Sequence, residues 1–380
     1  MAPTGRGELE SKWLLQRWDL PPREGVSLAW EGDSIGSIGF RPTPYPSVII
    51  PSFVNTHVHP DFTHLIPGHS LIEWIKHVVK FRRQEKAHQV TPQEESMVHR
   101  GTAAWGSILA RPWNVETPPP HQATRVAFHE VLGDMGVPLP PPGLPLSPHS
   151  PYALTPRLLE AIWRERKDSL KAIHLAESRD EVAFVQGKPN ALEAEVFPLA
   201  GRNTFSRPKA RTPVEYLESL GCLDSTTLAV HAIFLDERDV EILARRGVSV
   251  ILCPRSNLYL SRSMAPLPLL REAGVPTALG TDGLGSTPSL SLWEEMRALW
   301  FYSRSMGWDL SPQEILAMAT HRGAEVLGLE GLRGLEEGRE ASFLVIRLPG
   351  NLHPRELALF VLLQGDLHIE AFYIKGKRVF

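Results

Sequence analysis

The sequence predicts an α/β protein: a (β/α)8 TIM barrel with a small β-sandwich formed by the N- and C-terminal segments. Three observations predict it. Short apolar, β-branched runs recur through the middle of the chain, and amphipathic stretches long enough for crossover helices separate them. Eight such units over roughly 280 residues match a barrel with loop insertions. The ends read instead as short strands and turns. The expected division is therefore 47–335 for the barrel and 1–46 plus 336–380 for the composite sandwich.

In order, strands are expected near Ser47–Phe53, Thr102–Ile108, Thr124–Val131, Leu144–Ser147, Lys171–Leu175, Thr227–Val230, Val248–Leu252 and Thr277–Gly280. Helices fit at Leu71–Arg83, Pro92–Ala103, Pro156–Arg166, Pro213–Leu220, Glu237–Arg246, Pro266–Ala273, Leu290–Met306 and Pro312–Leu327. Thr155-Pro156, Thr212-Pro213 and Ser311-Pro312 combine a capping residue with Pro in the first turn. Val26–Trp30, Ile35–Phe40, Ala341–Ile346 and Ile369–Ile374 supply the terminal strands. Proline-rich runs at 118–120 and 138–148 read as stiff surface loops.

The 40 Lys+Arg against 43 Asp+Glu leave a net charge of −3, which argues against a nucleic-acid footprint or a polybasic membrane patch. Only two cysteines, Cys222 and Cys253, are present, too few for a disulfide framework. No basic-then-apolar leader is visible, and no run approaches the ~18 apolar residues that span a bilayer. A cytoplasmic protein is expected.

Reactive residues of such a barrel sit where strands end and loops begin. Strand one runs into Asn55-Thr56-His57-Val58-His59, whose i, i+2 spacing puts both imidazoles on one side of an extended segment. Strand five ends in His174-Leu175-Ala176-Glu177, strand six in Val230-His231-Ala232, strand eight in Gly280-Thr281-Asp282-Gly283. Imidazoles and one carboxylate converging with an open position suit a catalytic Zn²⁺ or Fe²⁺. Of the fifteen histidines, His64, His69, His77, His88, His99, His121, His129, His321, His353 and His368 lack such placement and default to surface or core roles.

These residues resemble the amidohydrolase superfamily, in particular its aminohydrolase branch of deaminases and triazine chlorohydrolases. The matching stretches are PSFVNTHVHP (51–60), SPHSPYALTP (147–156), HLAES (174–178), LAVHAIFLD (228–236), CPRSN (253–257) and GTDG (280–283). The resemblance implies that His57, His59, His174 and Asp282 bind one divalent metal, Zn²⁺ or alternatively Fe²⁺. Strand four ends in Ser147-Pro148-His149 and lacks the lysine of two-metal members. It further implies that Asp282 takes the proton of the attacking water, Glu177 protonates the substrate ring and His231 contacts the water. Glu177 as a helix-cap partner is the plainer alternative.

For substrate binding the resemblance points to His149, Glu73, Trp74 and Glu177, although Trp74 equally suits a helix core. Arg202, Arg207 and Arg211 read either as an acid-binding set or as a solvated loop, and Arg255 and Asn257 as rim residues. The compact length, HLAES and PHSPY look most like aminodeoxyfutalosine deaminases of menaquinone synthesis. Adenosine, methylthioadenosine or S-adenosylhomocysteine deamination is the alternative, with guanine deaminase-like or chlorohydrolase-like chemistry behind it. The expected partners are a small-molecule substrate and a second copy in a homodimer.

Overall fold

Two hydrogen-bonded sheets organise the computed structural model, which describes residues 5–68, 70–84, 91–110, 117–202, 207–350 and 352–380. His69 and His88 lie outside the described residues. The larger sheet is parallel: Phe53–His59, Thr102–Leu109, Thr124–Val131, Leu146–Pro148, Lys171–Leu175, Thr227–His231, Ser249–Leu252 and Thr277–Leu279 lie side by side in chain order. Asp282–Gly283, three residues beyond the last of these, pairs with Val58 and His59 of the first strand. Both edges of the sheet therefore belong to the single segment 277–283, and the sheet curls back on itself.

Its strands are buried almost throughout, as expected of a parallel sheet covered by crossover helices. Pro156–Glu165, Pro213–Ser219, Glu237–Arg246 and Leu267–Glu272 provide that cover within a residue or two of expectation. Local chemistry sets their starts. Thr212 Oγ1 accepts the N–H of Glu215, and Ser311 exchanges hydrogen bonds with Glu314 in a capping box. No helix among the described residues is long and apolar enough to cross a membrane.

The terminal segments meet in a seven-stranded sheet. It is ordered Lys377–Arg378, Ile369–Ile374, Phe343–Arg347, Ser47–Pro51, Arg6–Leu14, Arg23–Glu31 and Ser34–Phe40. Hydrogen bonding makes this one continuous sheet where the sequence suggested a small sandwich. Ser47–Pro51, expected to open the parallel sheet, belongs here, antiparallel to Phe343–Arg347. The break falls at Ser52, whose N–H donates to the Ser342 carbonyl, while Phe53 turns to the Gly101 carbonyl. One all-buried run of sequence thus supplies a strand to each sheet.

Other expectations need correction. Pro312–Leu327 is two helices, Pro312–Met318 and His321–Val326, broken at Thr320 with φ −128° and ψ −110°. The helix expected to reach Ala103 stops at Val98, and Thr102–Leu109 is strand. Leu357–Gln364, apolar almost all round, is a helix the sequence reading missed.

Candidate active site

Four side chains meet at the C-terminal end of the parallel strands. His57 and His59 project from the first strand, His174 from Lys171–Leu175, and Asp282 from the stretch that pairs with Val58. All four are buried, and one donor atom of each lies within 4.8 Å of every other. The closing stretch can lie this near because it is glycine-flanked. A Cβ on Gly280 would stand 2.9 Å from the His57 Cβ, and one on Gly283 would meet the Phe62 ring at 2.8 Å.

Neighbouring groups fix which atoms face inward. The His174 Nδ1–H donates to the His149 carbonyl at 2.7 Å, so its Nε2 is a lone-pair donor facing the His59 Nε2 at 3.3 Å. Asp282 Oδ2 accepts from Ser256 Oγ at 2.8 Å and Ser286 Oγ at 2.5 Å. Its Oδ1 is left 3.7 Å from the His57 Nε2 and 3.6 Å from the His59 Nε2. Both ring nitrogens of the buried His57 lack a hydrogen-bond partner. Buried polar atoms without partners are costly. Two imidazole nitrogens face to face, a third without a partner and a carboxylate oxygen beside them form a donor set that a divalent cation satisfies.

Electrostatics sharpen the contrast between the carboxylates. Burial opposes the charge of Asp282, yet His57, His59 and His231 hold its carboxyl well below the usual range. Burial pushes Glu177 up, only partly opposed by His231. Desolvation also lowers the His57 and His174 rings, keeping them neutral and able to ligate. The Glu177 Oε1 lies 3.6 Å from the His231 Nε2, and His231 donates through Nδ1 to Asn257 Oδ1 at 2.7 Å.

The strand ends are locally strained. Ala176, His231, Ala232 and Asp282 have φ of 52°, 71°, 48° and 59°, a left-handed region that non-glycine residues seldom enter. Glu181 holds the first of these turns. Its fully buried carboxylate accepts the N–H groups of Ala176 and Glu177, each at 2.9 Å. Burial pushes Glu181 up to about 8 against those two donors. Glu181, Ser256 and Ser286 were missed in the sequence, because their roles depend on neighbours distant in the fold or on backbone N–H groups.

The cluster opens into a cavity of about 570 Å³ lined by His59, His149, His174, Glu177, His231 and Asp282, with Trp74, Tyr152 and Phe197 on its walls. The Trp74 indole donates to the Gly285 carbonyl at 2.8 Å, and His149 Nδ1 donates to Glu130 Oε1 at 3.0 Å. Glu73 does not join them. It lines a neighbouring hollow with Lys76 and Arg179. Arg202 reaches the cavity, over the Phe197 ring at 4.8 Å, whereas Arg207 pairs with Glu193 and Arg211 with Glu215 and Asp236. Arg255 is tied to Glu294 and Glu295. Cys253 is a buried thiol that desolvation pushes well up.

The amidohydrolase family profile matches residues 145–379, more than half of the chain. The chain belongs to the amidohydrolase family. Over 202 residues this amidohydrolase is 37% identical to 5-methylthioadenosine/S-adenosylhomocysteine deaminase 2 of Archaeoglobus fulgidus, covering 53% of the chain and 44% of the relative. Over 206 residues it is 34% identical to the 5'-deoxyadenosine deaminase of Methanopyrus kandleri, covering 53% and 43%. It thus spans less than half the length of these two relatives. Among solved structures, Helicobacter pylori aminofutalosine deaminase in complex with methylthio-coformycin superimposes with a TM-score of 0.84 at 21% identity, covering 98% of this chain and 100% of that one. Guanine deaminase of E. coli gives 0.74 at 18%, covering 100% and 99%. At these identities the likeness is one of fold.

Proposed function

We propose that this amidohydrolase is a metal-dependent hydrolytic deaminase of a 6-aminopurine nucleoside. The observation that carries the reading is the convergence of His57, His59, His174 and Asp282 on one space at the mouth of a cavity that also holds Glu177 and His231. On this reading the curled sheet is a (β/α)8 barrel and the terminal sheet its support.

His57, His59, His174 and Asp282 would hold one divalent cation, zinc by ligand type, which when bound supplies Lewis acidity toward water. The chain's own residues then share the protons. Water adds to the ring carbon bearing the amino group. Asp282 takes its proton and returns it to the departing amine. Glu177, whose burial favours the protonated form, gives its proton to the adjacent ring nitrogen. His231 Nε2, oriented by Asn257, steadies the incoming oxygen. As the C–N bond breaks, the proton left on the added oxygen passes to the Glu177 carboxylate and restores it, and ammonia and a carbonyl-bearing ring leave.

Within this class we favour aminodeoxyfutalosine, converted to futalosine in menaquinone synthesis. What supports it is the near-complete superposition on an aminofutalosine deaminase, against matches to methylthioadenosine/S-adenosylhomocysteine deaminases over only part of each chain. The higher identity of those partial matches supports the second reading, deamination of methylthioadenosine, S-adenosylhomocysteine or 5'-deoxyadenosine. Both share His149 and Trp74 as purine or ribose contacts and differ in what the rest of the cavity, whose lining includes Phe197 and Arg202, must hold. A homodimer completes the proposal. Exposed Phe301 and Leu359, on two helices that pack together, are suited to a second copy.

Ammonia release from the zinc-reconstituted chain against aminodeoxyfutalosine, methylthioadenosine, S-adenosylhomocysteine, 5'-deoxyadenosine, adenosine and guanine decides among these. Preference for the first supports the favoured reading, and preference for another nucleoside supports the second. Activity on guanine alone, or on none, rejects nucleoside deamination.

A further inference from the structure

We propose a second cation site, formed by Glu95, His99 and His121 at the opposite end of the parallel strands from the active site. Glu95 lies in the helix Thr91–Val98, and His99 continues its last turn, with its N–H bonded to the Glu95 carbonyl. His121 comes from the segment entering the strand Thr124–Val131. His99 and His121 each stand three residues before a parallel strand begins, whereas the active-site residues stand where strands end. The two places are separated by roughly the length of an eight-residue strand, about 25 Å at ~3.3 Å per residue.

The three side chains offer one donor atom each, all mutually within 4.8 Å. The Glu95 Oε1 is 2.9 Å from the His121 Nε2 and 3.3 Å from the His99 Nε2. Ligands bound at about 2.0–2.1 Å in a tetrahedron stand about 3.3 Å apart, so these separations need little adjustment to grip an ion. Two imidazoles and one carboxylate select a borderline divalent ion such as Zn²⁺ over Mg²⁺ or Ca²⁺. The side chains are between a third and somewhat over half exposed, which leaves the remaining coordination positions to water.

The plainer reading is two surface His–Glu hydrogen bonds. Against it stands the convergence of both Nε2 atoms on one carboxylate oxygen from two separate segments. An ion there would cross-link the helix before one strand to the loop before the next. The site therefore has a structural role and no contact with substrate.

The test is metal content after the chelator-stripped chain is dialysed against low-micromolar free Zn²⁺. Wild type is expected to retain about two equivalents, His99→Ala/His121→Ala about one with ammonia release unchanged, and His57→Ala/His59→Ala about one. Glu95→Gln, a milder surface change, is expected to lower the second equivalent's affinity at least about tenfold. Equal zinc content in wild type and His99→Ala/His121→Ala would overturn the proposal, whatever the outcome at the catalytic cluster.

Discussion

At the residue scale the site holds two carboxylates in opposite electrostatic environments, which the proposed chemistry uses for opposite tasks. Asp282 is surrounded by three imidazoles and two serine hydroxyls, and stays ionised. Glu177 is desolvated and inclined to hold a proton. Glu177→Gln should therefore keep its zinc and lose at least about a hundredfold in turnover, since a positioned proton donor contributes that order of rate. Asp282→Asn should lose both turnover and metal, read by metal analysis beside ammonia release. Full activity in the Gln variant would remove Glu177 from its role. Glu181 touches no cavity wall and acts through the Ala176–Glu177 turn. Glu181→Gln keeps the shape but offers one N–H a repelling amide, so turnover should fall about tenfold while KM stays within about threefold. A rise in KM with unchanged turnover would instead point to altered substrate binding.

At the element scale, what the sequence disclosed depended on whether a segment's neighbours mattered. His57-Val58-His59 was legible because strand alternation alone puts both rings on one side, and Asp282 because its strand had to end there. The division at Ser52 was not legible. Val48 to Val58 is apolar or buried throughout, and only pairing to Phe343–Arg347 assigns its first half to another sheet. The break at Thr320 escaped for a similar reason, because apolar spacing continues across it. That break buries His321, whose imidazole burial and the charge of Arg17 push down to about 4. The unfolded ring titrates near 6.5, so between the two values the unfolded chain binds more protons. Stability from the neutral ring is complete above about pH 6.5 and is lost as pH falls toward 4, by on the order of 3 kcal/mol. Thermal midpoints measured from pH 7 to 4.5 should fall more steeply for the native chain than for His321→Asn. Parallel slopes would show that the ring titrates as if exposed.

At the scale of the whole molecule, the cluster of His57, His59, His174 and Asp282 coincides with the closure of the curled sheet. Asp282 sits on the segment 277–283 that joins the sheet's two edges, His57 and His59 on the strand it closes against, and His174 four strands away. A cation held by all four would bind only the closed arrangement, so its binding free energy adds to folding as RT ln(1 + [L]/Kd), about 4 kcal/mol at a thousandfold excess over Kd. Stripping the metal should therefore lower the thermal midpoint by several degrees, and adding Zn²⁺ should restore it. His57→Ala, which forfeits a ligand from the closing strand, should abolish most of this response, while His99→Ala/His121→Ala should leave the larger part intact. Gly280→Ala tests the same coupling from the backbone side. Its Cβ would press on His57 at 2.9 Å, so the closing segment must shift, and zinc affinity and stability should fall together. A Gly280→Ala chain that lost stability but bound zinc as tightly as the native one would separate sheet closure from the metal site, and with it the argument that one geometry serves both.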